Sequence, residues 1–127
     1  MNVSLIIPAY NEEERIVPFL ASIRLYIAKN QNSISEIIIV NDGSSDATAR
    51  VAKESGTGLP GFQVITLPQN QGKGAAVQTG VLAAQGDYIV FMDAAGATGI
   101  DELQKMTAAL ASADIAIGNR RMQGAKT

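Results

Sequence analysis

Five short apolar runs punctuate the chain: V-S-L-I-I-P from Val3, E-I-I-I-V-N from Glu36, F-Q-V-I-T-L from Phe62, Y-I-V-F-M-D from Tyr88 and D-I-A-I-G from Asp114. Each is nearly continuous rather than alternating, which is the pattern of strands covered on both faces of a parallel sheet. Between them the period becomes helical. Residues Glu13 to Ala28 place Ile16, Phe19, Leu20, Ile23 and Ile27 at helical spacing. Asp46 to Glu54, Gly74 to Ala84 and Asp101 to Ala111 follow, opened by capping or acidic residues such as Ser44, Ser45 and Asp101. The order β-α-β-α-β-α-β-α-β predicts right-handed crossovers and a mostly parallel, doubly wound α/β sheet with helices on both faces. Loops leaving the strands then share one rim, where such sheets bind ligands. The stretches Lys29 to Ser35 and Ser55 to Gly61 lead into strands and belong to the opposite rim.

Length and composition narrow the function. With 127 residues, 46% of them hydrophobic and 17% charged, the chain is expected to form one domain over residues 1–127. A formal net charge of −2 disfavours nucleic-acid binding through bulk charge. No His and no Cys are present, so Ser-His and Cys-His nucleophiles, His-ligated zinc and disulfides are excluded. Chemistry falls to carboxylates, Lys, Arg, hydroxyls, backbone and a hard cation. No segment approaches the roughly 20 apolar residues of a membrane helix, and the first run lacks the basic flank of a signal peptide, so a cytoplasmic location is expected.

Two glycine patterns are set aside. Gly56 to Gly61 satisfies G-x-G-x-x-G but follows a helix and precedes a strand, the reverse of a dinucleotide fingerprint, and Gly72-Lys73-Gly74 lacks the spacing of a Walker A loop.

Four features fall on the functional rim. The first strand ends in P-A-Y-N-E, where Pro8 stiffens the exit, Tyr10 offers a flat ring to a base and Glu12 an acceptor. The same residues also read as a helix start with acids in its first turn. The second strand ends in N-D-G-S-S-D, where Asp42 suits the ring N–H of uracil or guanine and Gly43 the tight turn, or the segment is a plain Asx-turn with Ser44 as cap. In Q-N-Q-G-K-G, Lys73 sets a cation beside a helix N-terminus that favours anions. Asp93 in F-M-D-A-A-G-A-T ends the fourth strand. An aromatic ring, acceptors, a cation and an acid on one rim suit a nucleoside diphosphate with a metal.

The segments S-L-I-I-P-A-Y-N-E-E-E-R-I, I-I-I-V-N-D-G-S-S-D-A-T, N-Q-G-K-G-A-A-V-Q-T-G and Y-I-V-F-M-D-A-A-G-A-T, in that order, resemble the signatures of the family 2 glycosyltransferases of the GT-A fold. The nearest branch is the polyprenyl or dolichyl phosphate glucosyltransferases, because G-A-T follows the acid motif and G-N-R resembles that branch's G-S-R. The resemblance implies a Rossmann-like nucleotide-sugar-binding half with a sheet of about five strands. It implies that Pro8, Tyr10, Glu12 and Asp42 cradle the base, that Ala9 and Gly43 belong to the same substrate-binding set, that Lys73 lies near the nucleotide, and that Asp93 contacts ribose or a Mg²⁺ or Mn²⁺ ion. The implied reaction is inverting transfer of a hexose from a UDP- or GDP-sugar to a lipid phosphate by a parent enzyme associated with a membrane. The family's D-A-D reads D-A-A here, so Ala95 replaces the expected main metal anchor, and metal binding is expected to be weakened. The match also stops short of an acceptor-binding half and names no catalytic base. A non-catalytic nucleotide-binding or assembly module is therefore the alternative, and self-association through an uncovered sheet edge or apolar face is expected.

Overall fold

The computed structural model describes residues 2–29 and 34–92. Its elements run β1 (Val3–Ala9), α1 (Ile16–Lys29), β2 (Glu36–Asn41), α2 (Thr48–Ser55), β3 (Gln63–Thr66), α3 (Lys73–Ala83) and β4 (Tyr88–Phe91). The four strands form a parallel sheet in the order β3-β2-β1-β4, the doubly wound arrangement that the alternating pattern predicts. The expected fifth strand from Asp114 and the expected helix from Asp101 lie outside the described residues.

Strand β1 is central. It pairs Leu5 with Ile37 of β2 on one side and with Val90 of β4 on the other. Every residue of β1 is buried, as an apolar run without alternation requires when both faces are covered. Alternate residues serve the two faces. Leu5, Ile7, Ile37 and Ile39 pack with Ile16, Phe19, Leu20 and Ile23 of α1 and Ala52 of α2. Ile6, Ile38, Val40 and Ile89 pack on the opposite face with Ala76 of α3.

Helix α1 forms where apolar residues recur at helical spacing, and Pro18 is tolerated because it falls in the first turn. Tyr26 is the fully buried residue of its last turns, while Ile27, expected in the core, packs at its margin. The phase of a real helix favours the 23, 26 spacing there over 23, 27. Helix α3 buries only Ala76 and Gly80, so its backbone lies close to the sheet. A Cβ on Gly80 would fall 2.4 Å from Ile6 Cγ2 and 3.2 Å from Val40 Cγ2.

The opposite rim is pinned by a polar cluster. The buried Ser4 hydroxyl donates to Glu36 and accepts from the Gly86 amide, and Glu36 also accepts from the Gln85 amide. Gly56 to Gly61 makes the turn from α2 into β3, with Arg24 donating to the carbonyls of Ser55 and Thr57 at the end of α2. No helix among the described residues is long and apolar enough to cross a membrane.

Candidate functional site

At the carboxyl ends of β1 and β2 lies a cleft of about 290 Å³ lined by Pro8, Ala9, Tyr10, Glu12, Asp42, Asn70, Gly72, Lys73 and Ala76. Six residues singled out in the sequence, Pro8, Ala9, Tyr10, Glu12, Asp42 and Lys73, thus share one cavity wall. Gly43 is not in the wall. Asp93 lies outside the described residues.

The wall is built by three loops that hold one another. Pro8 and Ala9 complete β1, and the chain turns at Asn11, whose φ of 53° is the left-handed conformation that Asn tolerates better than most residues. That turn leaves Tyr10 46% exposed, with its ring available to the cleft. The Asn11 amide donates to Ser44 Oγ at 2.9 Å, and Asn11 Oδ1 accepts from the Ser45 amide at 2.9 Å. The Glu12 amide donates to Thr48 Oγ1 at 2.9 Å, while Glu13 Oε1 accepts from the Ala47 amide at 2.9 Å. The loop after β1 and the loop after β2 are therefore stitched in both directions.

These bonds revise two local expectations. Helix α1 begins at Ile16 with no acid in its first turn, so Glu12 to Glu14 precede it, and the Glu12 carbonyl accepts from the amides of Arg15 and Ile16. Helix α2 begins at Thr48 after Ala47, and Ser44 is not its cap. Asp46 takes that role in part: Oδ1 accepts from the Thr48 amide at 2.9 Å and also from the Thr48 hydroxyl. Desolvation works to raise the Asp46 pKa, but hydrogen bonds from Thr48 and Glu13 outweigh it and hold the carboxyl below its ordinary 3.8.

Asp42 joins the second loop to the third. It is 3% exposed, and its carboxylate accepts from the Gln71 amide at 2.8 Å, the Gly72 amide at 2.9 Å and Asn70 Nδ2 at 3.0 Å. Its own amide donates to the Ala9 carbonyl at 2.9 Å, which ties it to the end of β1. Gly43 allows this junction. With φ of 66° it turns left-handed, and a Cβ there would fall 2.3 Å from the Gln69 carbonyl carbon and 2.4 Å from the Asn70 nitrogen. The third loop then enters α3 through Gly72, whose φ is 101°, and Lys73 opens the helix at the edge of the cleft.

Asn11, Glu13, Ser44, Thr48 and Asn70 are the structural residues that the sequence reading did not single out as part of the site. The signal for Asn11 and Asn70 was weak: each is a polar loop residue whose role depends on a partner about 30 residues away. Among the described residues there is no group of three or more His, Cys, Asp or Glu that could hold a metal ion.

Comparison with known proteins gives this arrangement a context. The chain is 41% identical over 107 residues to a dolichyl-phosphate beta-glucosyltransferase of Trichomonas vaginalis, a match covering 81% of this chain and 32% of the relative. It thus spans about a third of the length of the curated relatives it matches. Among solved structures it resembles the mannosyltransferase PcManGT of Pyrobaculum calidifontis in complex with GDP-Man and Mn²⁺ (26% identity, TM-score 0.64, 72% of this chain and 27% of that one). It also resembles S. aureus TarS in complex with UDP-GlcNAc (25% identity, TM-score 0.64, 85% of this chain and 30% of that one). The family model for glycosyl transferase family 2 matches residues 4–127, and with the doubly wound sheet and the shared fold of these neighbours, the chain belongs to that family.

Proposed function

We propose that this chain forms the donor-nucleotide wall of a sugar transferase that moves a hexose from a UDP- or GDP-sugar to a polyprenyl or dolichyl phosphate with inversion. The observation that carries it is the cleft itself, in which the Tyr10 ring, the Asp42-anchored loop and Lys73 at the start of α3 meet at the carboxyl ends of β1 and β2. Pro8, Ala9, Tyr10, Glu12, Asp42 and, through its backbone, Gly43 shape the base and ribose end. Lys73 supplies positive charge toward the diphosphate, where the α3 N-terminus adds its dipole. At about 290 Å³ the cleft lies at the small end of the range for ligand pockets, which suits a nucleoside rather than a whole nucleotide-sugar.

Relatives named for dolichyl phosphate and glucose support that acceptor and that hexose, and neighbours bound to GDP-Man and UDP-GlcNAc support a purine or pyrimidine carrying a ring N–H. The Mn²⁺ beside GDP-Man in PcManGT supports a divalent ion as the group that neutralises the departing diphosphate. Here Asp93 would be its carboxylate, and Ala95 would leave that site weak.

Calorimetric titration with UDP, GDP and their hexose derivatives, with and without Mn²⁺, tests the reading. Binding of one base, little enhanced by Mn²⁺, is the expected result. Failure of every nucleotide to bind would remove it. The D-A-A sequence favours a second reading, a nucleotide-binding module without turnover. Transfer of a hexose to a polyprenyl phosphate by the wild-type chain, with Ala95 in place, would exclude that reading.

A further inference from the structure

Strand β3 ends the sheet, and its outer side is bare. In a parallel ladder the N–H and C=O of alternate residues point to the same neighbour. The Leu67 amide donates to the Asn41 carbonyl of β2 at 2.9 Å, so Leu67 and Ile65 turn toward β2, while Val64 and Thr66 turn their N–H and C=O outward. Among the described residues no strand lies on that side, and no backbone group outside the sheet pairs with them. Natural edges of this kind are commonly guarded by a charge, a proline or a bulge. None interrupts F-Q-V-I-T-L from Phe62 to Leu67, an uncharged stretch rich in β-branched residues and without Gly or Pro. Pro68 closes only its far end.

We propose that the β3 edge is a self-association surface: a second copy of this chain pairs with it antiparallel about a two-fold axis through Ile65, joining two sheets of four strands into one. None of the residues from Phe62 to Leu67 lines the nucleotide cleft, so the two readings stand or fall separately. Bare backbone donors and acceptors call for an extended strand, and this strand is its own complement. About an axis at Ile65, Val64 stands opposite Thr66 of the second copy, and every outward N–H and C=O of the two residues finds a partner. Val opposite Thr and Ile opposite Ile are β-branched pairs, which suit cross-strand contact. Val64 packs on the α1 and α2 side, where with Leu59 and Phe62 it walls a cavity of about 330 Å³, and Thr66 of the second copy comes to its mouth. Charge does not oppose the pairing. Lys53 lines that cavity beside Phe62, Gln63 and Val64, and the two-fold carries its copy to the other end of the paired strands. Pairing consumes both β3 edges, so association stops at a closed dimer. One pair of short strands is a small interface, and the dimer is therefore weak and concentration-dependent.

The full chain has no Cys, which allows a direct test of the register. Residues that face each other as a non-hydrogen-bonded antiparallel pair have Cα atoms about 4.5 Å apart, within disulfide reach. Ile65→Cys is therefore expected to form a disulfide-linked dimer under mild oxidation at least about tenfold faster than Gln63→Cys, whose two copies are offset by about 13 Å along the strands. In sedimentation equilibrium the wild-type chain should show a monomer–dimer equilibrium. Thr66→Pro removes an outward N–H from each copy and leaves the bonds to β2 in place, so it should dimerise at least about tenfold more weakly. If Thr66→Pro fails to fold, the cross-linking ratio decides. A wild-type chain that stays monomeric at millimolar concentration overturns the proposal, whatever covers the edge instead. Open-ended aggregates, an unchanged dimer constant in a folded Thr66→Pro, or equal cross-linking of the two cysteine variants overturn it as well.

Discussion

Gly43 and Gln69 approach so closely that a methyl group on Gly43 would lie 2.3 Å from the Gln69 carbonyl carbon. The contact is backbone against backbone, so no rotamer change relieves it. Gly43→Ala combines this overlap with a left-handed φ of 66°. The expected cost is about 2–5 kcal/mol, from roughly 1–2 for the backbone conformation and roughly 1–3 for overpacking. A urea unfolding midpoint unchanged by the substitution would show that the loops part without cost.

Gly80 poses a different balance. An alanine there gains about 1 kcal/mol of helix propensity but must push Ile6 Cγ2, 2.4 Å away, out of a packed core. Overpacking at roughly 1–3 kcal/mol outweighs the gain, so Gly80→Ala is expected to destabilise. Ile6→Ala removes the obstructing methyl. The double variant should therefore cost less than the two single changes added together, a coupling that a double-mutant cycle in denaturant reads directly.

Tyr10 separates binding from stability. Its ring is half exposed and contributes little to the core, so Tyr10→Ala should change the unfolding free energy by less than about 0.5 kcal/mol. If the ring covers a base, nucleotide affinity should fall about 5- to 150-fold, the range expected for the loss of one base–aromatic stack. Equal affinity in the two proteins would move the base elsewhere.

The acid side of the stability profile should depend on Asp46. Its pKa is depressed in the folded chain, so the stability it contributes is fully present above its unfolded value and is lost as pH falls through the lower folded value. Asp46→Asn removes that contribution. Wild type and variant should therefore differ most above pH 3.8 and converge as the solution is acidified below it. Unfolding curves that diverge on acidification would contradict this sign.

Strand and helix identities were legible because burial on both sheet faces writes itself as continuous apolar runs. Ile37 to Val40 could hardly be anything but an interior strand, and Ile16 to Ile23 hardly anything but a one-sided helix. The site was legible as a set of residue types at strand ends, which is how Tyr10, Asp42 and Lys73 were found. Its internal wiring was not. Glu13 bonding Ala47, and Asp42 bonding Gln71 and Gly72, are side-chain-to-backbone contacts between separate loops. They have no period and no fixed spacing, and the backbone partner can be any residue. Helix starts shifted for the same reason: once Asn11 claims Ser44 and Ser45, those residues no longer open α2.

The central position of β1 has a consequence for synthesis on the ribosome. Val3 pairs with Tyr88, a partner that follows it by 85 residues, while its pairing with β2 begins at Glu36. At about 5–20 residues per second, one side of this fully buried strand waits roughly 4–17 seconds for its neighbour to be made. During that interval the nascent chain carries an open interior edge, and a chaperone or the ribosome surface that shields residues 3–9 would matter more to its yield than any contact in the finished sheet.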